Sequence, residues 1–299
     1  MKALNAVIAA CASIIFSGSV QADEPLPQRW ITSGGSLSEW VVELGGESRL
    51  VGVDSTSRHP ETLTKLPSVG YQRQLAAEGI LALRPDVVLG TEEMGPPPVL
   101  AQLRSAGVKV ESLSSQPDLP SLHGTLQHVG ELLGDKARAE QVFAAYEQRL
   151  KQQEHWVADV QQKQSAPGVV ILIGHAGASP MAGGKNTVGD WLVARAGGRN
   201  LATHEGYKSL STEALLGLNP DVVLIADRQL AGEAAQKALL SQNPALAATK
   251  AATEGRLLVI DPTLLVGGLG PRLPAALSEI SAVFYPGSEP LKTDTKPAL

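Results

Sequence analysis

The sequence predicts an α/β protein built as two similar lobes joined by one long helix, with a ligand cleft between the lobes. Three observations carry this. Short Val- and Ile-rich runs bounded by Gly, Pro and Asp alternate with helical patterns, the signature of mostly parallel sheets covered by helices. One block occurs twice: "GYQRQLAAEGILALRPDVVLG" (70–90) is echoed by "GYKSLSTEALLGLNPDVVLIAD" (206–227). Between the copies, "GDKARAEQVFAAYEQRLKQQEHWVADVQQKQ" (134–164) has no Gly or Pro after its start. Its apolar positions Val142, Phe143, Tyr146, Leu150, Val157 and Val160 follow the helical period.

The elements follow in chain order. Residues 1–22 read as a cleavable export signal: Lys2, the apolar stretch "ALNAVIAACASIIFSGSV", then "VQA" before Asp23. A transmembrane anchor and lipid attachment at Cys11 are the alternatives. The run is interrupted by Asn5, Ser13 and Ser17, and Cys11 falls early inside it. Cleavage after Ala22 leaves a mature chain without cysteine, which excludes disulfides, thiol catalysis and thiolate metal sites. The first lobe is expected over 23–133. There "SLSEWVVELGG" predicts a helix opened by a capping box of Ser36 and Glu39 and stopped at Gly45-Gly46. "RLVGVD" (49–54), "DVVLG" (86–90) and "GVKVESL" (107–113) predict buried strands, and "PPPVLAQLRSAG" a helix entered through prolines and ended at Gly107. The interlobe helix is expected over 134–166. About thirty helical residues span roughly 45 Å at 1.5 Å each, which suits a rigid strut rather than a flexible linker. The second lobe, 167–299, brings the strands "VVILIG" (169–174), "DVVLIA" (221–226) and "RLLVID" (256–261).

The repeat aligns Glu78 with Glu213, Pro85 with Pro220 and Asp86 with Asp221. Glu39-Trp40 before Gly45-Gly46 is likewise echoed by Asp190-Trp191 before Gly197-Gly198. A helix, a Pro-Asp joint and a strand are common company in α/β proteins. Two matching blocks in the same order point instead to Rossmann-like lobes of one design.

Composition narrows the function. At 43% hydrophobic and 18% charged the chain has what a folded core needs. A formal net charge of −5 argues against a nucleic-acid or anionic-membrane surface. The six histidines are scattered. There is no Walker loop, no G-x-G-x-x-G, no Gly-x-Ser-x-Gly elbow and no Cys-x-x-Cys-His haem attachment, and no convincing acid–base pair. No catalytic residue is expected.

Ligands of open α/β sheets sit beyond the carboxyl ends of the strands. Three segments qualify: "VGYQRQ", "ADRQLAG" with Arg228, and "GHAGASPMAGG". If 69–74 is extended, Tyr71 and Arg73 face the same way, a phenol beside a guanidinium. A neighbouring cation favours phenolate, a ferric ion favours it far more, and tyrosine-ligated ferric haem is an attested arrangement. The plainer reading makes Tyr71 a half-buried turn aromatic and Arg73 a solvated charge. Glu78 and Glu213, at equivalent repeat positions, are either ordinary helix-surface carboxylates or a matched pair for a basic partner of two-part symmetry.

The segments "RWITSGGSLSEWVVELGGESRLVGVDSTS", "LPSVGYQRQLAAEGILALRPDVVLG", "AGGRNLATHEGYKSLSTEALLGLNPDVVLIADRQ" and "LLVGGLGPRLPAAL" resemble the periplasmic haem-binding proteins of bacterial ABC importers. The likeness covers nearly the whole mature chain. More broadly the chain is similar to cobalamin and siderophore binders with a rigid interlobe helix. The resemblance implies a periplasmic protein, likewise a monomer, that captures ferric haem b and performs no catalysis. It implies Tyr71 as iron ligand, Arg73 and Arg228 as partners near the phenolate and haem, and Glu78 and Glu213 as docking carboxylates for an inner-membrane ABC permease dimer. Tyr207, in the second copy, is then a structural relic or a cleft-wall residue. The rival readings are the same fold carrying a ferric siderophore or cobalamin, a manganese or zinc binder on a related fold, and an exported α/β enzyme.

Overall fold

A computed structural model describes residues 25–174, 180–227 and 229–292. The expected leader, Arg228 and the centre of the 174–184 glycine-rich segment lie outside the described residues. The chain runs β1 (Trp30–Ser33), α1 (Gly35–Glu43), β2 (Leu50–Val53), α2 (Ala77–Ala82), β3 (Val87–Thr91), α3 (Pro97–Ser105), β4 (Lys109–Leu113) and α4 (Leu119–Leu133) in the first lobe. After α5 (Lys136–Gln161) come β5 (Gly168–Gly174), β6 (Met181–Gly183), α6 (Val188–Arg195), β7 (Arg199–Asn200), β8 (Tyr207–Ser209), α7 (Thr212–Leu218), β9 (Val222–Asp227), α8 (Gly232–Gln242), α9 (Lys250–Thr253), β10 (Leu257–Val259) and α10 (Leu273–Phe284).

The first sheet is parallel with order β2-β1-β3-β4. Each strand expected from the apolar runs is present, but β4 is not the buried strand expected: it lies at the sheet edge, and its residues are exposed or half-buried. The inner strand β1 was not among those expected. Its four residues, WITS, carry two hydroxyls and run straight into glycine, so they lack the length and composition of a strand signal. The second sheet has order β10-β9-β5-β6-β8, with β7 also on β5. Its β10-β9-β5 part is parallel, while β6 and β8 add an antiparallel flank of three-residue strands.

The repeat is visible atom by atom. Asp86 Oδ2 accepts the N–H groups of Gln28 and Arg29 at the foot of β1 (2.7 and 2.9 Å). Asp221 Oδ2 accepts Gly168 N at the foot of β5 (2.6 Å). In both lobes, then, the Pro-Asp joint pins the start of the neighbouring inner strand. The residues before the two prolines, Arg84 and Asn219, both take positive φ (48° and 39°). The Gly-Gly stops match too: Gly46 N donates to Val41 O, and Gly198 N to Val193 O, each after a left-handed glycine.

The expected capping box does not form. Ser36 lies inside α1, whose N-cap is Gly34 at φ 119° with no side-chain cap. Glu39 is recruited elsewhere, by a residue far along the chain. The long helix starts at Lys136 rather than 134, because Gly134 is the left-handed C-cap of α4 and Asp135 caps α5 by accepting Arg138 N. Its 26 residues extend about 39 Å. Early on, Tyr146 meets Trp40 of α1 edge to face, with centroids 5.3 Å apart. Later, Gln153 Nε2 bonds Ser281 Oγ of α10 at 2.6 Å. One apolar core continues from Trp30 and Trp40 through Tyr146 and Leu150 to Ile171, Leu224 and Phe284.

Candidate ligand-binding site

The carboxyl ends of the strands are organised by buried hydroxyls and carboxylates. Asp54, just after β2, accepts Gly34 N (3.0 Å), Ser57 Oγ (2.6 Å) and Thr56 Oγ1 (2.6 Å). This fixes the glycine turn between β1 and α1.

The segment 71–74 follows from the same end of the sheet. It is a turn, not the extended piece expected from its spacing: Gln74 N donates to Tyr71 O at 2.7 Å. Backbone bonds Gly95 N to Gln72 O and Leu75 N to Gly95 O (2.9 Å each) clamp it to the loop after β3. Arg73 Nη2 lies 2.7 Å from Glu93 Oε1, with the two side chains 54% and 39% exposed. Gln72, 1% exposed, donates Nε2 to Glu93 Oε2 at 3.3 Å. Glu93 was not singled out from sequence. Nothing local separates it from Glu92, which instead accepts Ser115 N and Oγ.

Tyr71 is half-buried and within electrostatic reach of Arg73. The hydrogen bond to Glu93 raises the Arg73 pKa, against partial burial, and ionised Tyr71 and Tyr207 would add to it. Tyr207 comes from β8 of the other lobe, its ring packed over Gly183. Burial pushes its phenol up while the hydroxyl of Thr187 and the Gly189 backbone pull it down, with Glu93 and Arg73 acting from across the site. Two phenols, one guanidinium and one carboxylate from two lobes therefore share one electrostatic neighbourhood. Phenols are hard oxygen donors that suit a ferric ion, and a guanidinium suits an anionic group.

Behind this neighbourhood the lobes are tied together. Arg272, at the start of α10, donates to Glu39 of α1 through Nε and Nη2 (2.9–3.1 Å), to Asp261 (3.0 Å) and to Thr263 Oγ1 (2.6 Å). His59 of the first lobe meets Asp261 at 2.7 Å. Burial raises the Glu39 pKa despite Arg272. Asp261 is held well below the ordinary carboxylate range: burial opposes this, but His59, Thr263 and Arg272 outweigh it. Trp40 Nε1 donates to Leu269 O at 2.7 Å, and Ser36 N to Val266 O at 3.2 Å. A side chain at Gly270 would meet Ser36 Oγ at 2.7 Å. The glycines of "LLVGGLGPRLPAAL" thus serve a close crossing of one lobe over the other.

Glu78 and Glu213 are both exposed, each the second residue of its helix, α2 and α7. The first-turn backbone and Ser211 lower the Glu213 pKa. Among the described residues no group of three or more His, Cys, Asp or Glu could hold a metal ion, and no helix is long and apolar enough to cross a membrane.

Residues 31–264 match the family model described as periplasmic binding protein. Among solved structures, a periplasmic heme-binding protein from Pseudomonas aeruginosa superimposes with a TM-score of 0.89 at 63% identity, covering 90% of this chain and 96% of that one. The periplasmic heme-binding protein HutB of Vibrio cholerae gives 0.75 at 33% identity, over 87% and 99%. BhuT, solved in complex with two hemes, gives 0.77 at 36% identity, over 86% and 97%. These relatives are binding proteins, not enzymes, which removes the exported-enzyme reading.

Proposed function

The chain belongs to the periplasmic binding protein family, and from that premise we propose that it captures ferric haem in the periplasm and hands it to an inner-membrane ABC permease. The observation that carries the reading is the turn at Tyr71 and Arg73, set against Tyr207 of the other lobe. Relatives described as heme-binding, at 33–63% identity over most of the chain, support the choice of cargo.

In this reading residues 1–22 are removed on export and the mature protein starts at Asp23, with lobes 23–133 and 167–299 joined by 134–166. Tyr71 supplies a phenolate to the ferric ion of haem b. Arg73 and Arg228 compensate the negative charge at the phenolate and the haem carboxylates. The two lobes cover the porphyrin faces and exclude water from the iron–oxygen bond. Glu78 and Glu213 meet basic residues on a permease dimer, and the protein itself works as a monomer.

The test is a titration of ferric haem into the mature protein, followed by its Soret band, with a ferric siderophore and cobalamin offered in parallel. A saturating Soret shift, unaffected by the other two ligands, is the expected result. Tryptophan quenching by a siderophore or cobalamin with no haem response would replace the cargo and retire the iron–tyrosine bond.

A further inference from the structure

Resting on the haem reading, we propose that Glu93 is the exchange partner of Arg73: it parks the guanidinium when the site is empty and competes for it when haem is bound, which speeds release. Glu93 is a positioning residue in this scheme, acting on the ligand through Arg73.

Three observations converge. Arg73 spends its Nη2 on Glu93 Oε1 at 2.7 Å. The pair is half exposed, so it is a weak bond that an incoming anion can displace. The other carboxylate oxygen is tethered, since Oε2 accepts from the almost fully buried Gln72. Gln72 is itself buried beside Gly34. The Gln72 bond thus favours Glu93 staying in place when Arg73 swings toward a phenolate or a haem carboxylate. The charge of Glu93 stays beside the site, 20 residues beyond Arg73 in sequence but clamped to the same turn by the Gly95–Gln72 and Leu75–Gly95 backbone bonds.

The consequence is a tug between two anions for one cation. With the ligand in place, part of the solvent that screens the Arg73–Glu93 pair is displaced, and both interactions strengthen. Each excursion of Arg73 back to Glu93 leaves the bound anion less compensated. A binding protein that must surrender its cargo gains from such a competitor, because affinity differences among variants of one site reside mostly in the dissociation rate.

The experiment measures haem dissociation into an excess of a scavenging apoprotein, for wild type, Glu93→Gln, Arg73→Ala and the double variant. Glu93→Gln keeps an oxygen for Arg73 but removes the charge. It should slow dissociation about tenfold, the size of a hydrogen bond to a charged group in a covered site. In the Arg73→Ala background the same change should alter the rate by less than about twofold, since no coupling remains. Glu93→Ala, which also frees Gln72, should shift the rate in the same direction and serves if Glu93→Gln does not fold. An unchanged or faster rate in Glu93→Gln overturns the proposal. So does equal slowing in both backgrounds, which would mean a through-space charge effect independent of Arg73. A wild type that takes up no haem at all overturns the haem reading and this inference with it, and that is seen before any variant is compared.

Discussion

Replacing Arg272 by Ala should destabilise the fold strongly, and its cost should depend on pH in a defined direction. Glu39 is 5% exposed. Among the described residues only Arg272 hydrogen-bonds its carboxylate, through three contacts of 2.9–3.1 Å. Removing one partner of a buried ion pair costs about 3–5 kcal/mol, because the remaining charge is left without compensation. Asp261 suffers less, since it keeps His59 and Thr263. The carboxyl of Glu39 already has a raised pKa from burial, and loss of Arg272 raises it further. A carboxyl whose folded pKa lies above its unfolded value favours the fold when protonated. The variant therefore gains stability relative to wild type as pH falls, by up to about 1.4 kcal/mol per pH unit while Glu39 takes up its proton. Urea unfolding followed by far-UV circular dichroism at pH 8 and pH 5 reads both effects. The double variant Glu39→Leu with Arg272→Leu should recover much of the loss and show no such gain. A loss under about 1 kcal/mol at pH 8 would mean a pair too well solvated to matter. A penalty that grows toward pH 5 would refute the assignment of Glu39 as the stranded charge.

Other perturbations follow from the same geometry. Gly198→Ala puts a methyl 2.5 Å from Phe284 Cε2 and 2.8 Å from Val169 Cγ2. It should lower unfolding stability by about 1–3 kcal/mol through overpacking, with little change in haem affinity. Glu78 and Glu213 are exposed first-turn carboxylates, so Glu78→Lys with Glu213→Lys should lower unfolding stability modestly, through cations placed at two helix N-termini, and leave haem affinity intact while abolishing uptake in vesicles carrying the permease. Unchanged uptake would remove these two carboxylates from the docking surface.

What the sequence made legible, and what it hid, divides by range. The Val- and Ile-rich runs marked β3, β5 and β9 because burial on both faces leaves a continuous apolar signature, while β2, β4 and β10 were marked by their flanking turn residues and shorter apolar pieces. The two Pro-Asp joints aligned correctly because each has the same local task, pinning an adjacent strand. β1 stayed hidden, since its place in the sheet is set by partners on both sides rather than by its own four residues. The capping box failed for a related reason: Glu39 suits N-cap chemistry locally, but Arg272, 233 residues away, claims its carboxylate. At the candidate site, Tyr71 and Arg73 were readable as a phenol and a guanidinium two residues apart. Their proximity survives although the backbone there is a turn rather than extended. Glu93 was not readable, because only the loop after β3 folding over Gln72 distinguishes it from its neighbour. Tyr207 is expected from sequence only as a relic or a wall residue; the fold brings its phenol within electrostatic reach of Arg73 and Glu93, which the sequence did not indicate.

The central claim is the bond between the ferric ion and the Tyr71 oxygen. Its most direct test compares visible absorption spectra of the ferric haem complexes of wild type, Tyr71→Phe and Tyr207→Phe. The account predicts a high-spin ferric spectrum with phenolate charge-transfer bands in wild type and Tyr207→Phe, and their loss in Tyr71→Phe. Identical spectra for wild type and Tyr71→Phe, or loss of the bands only in Tyr207→Phe, would contradict it.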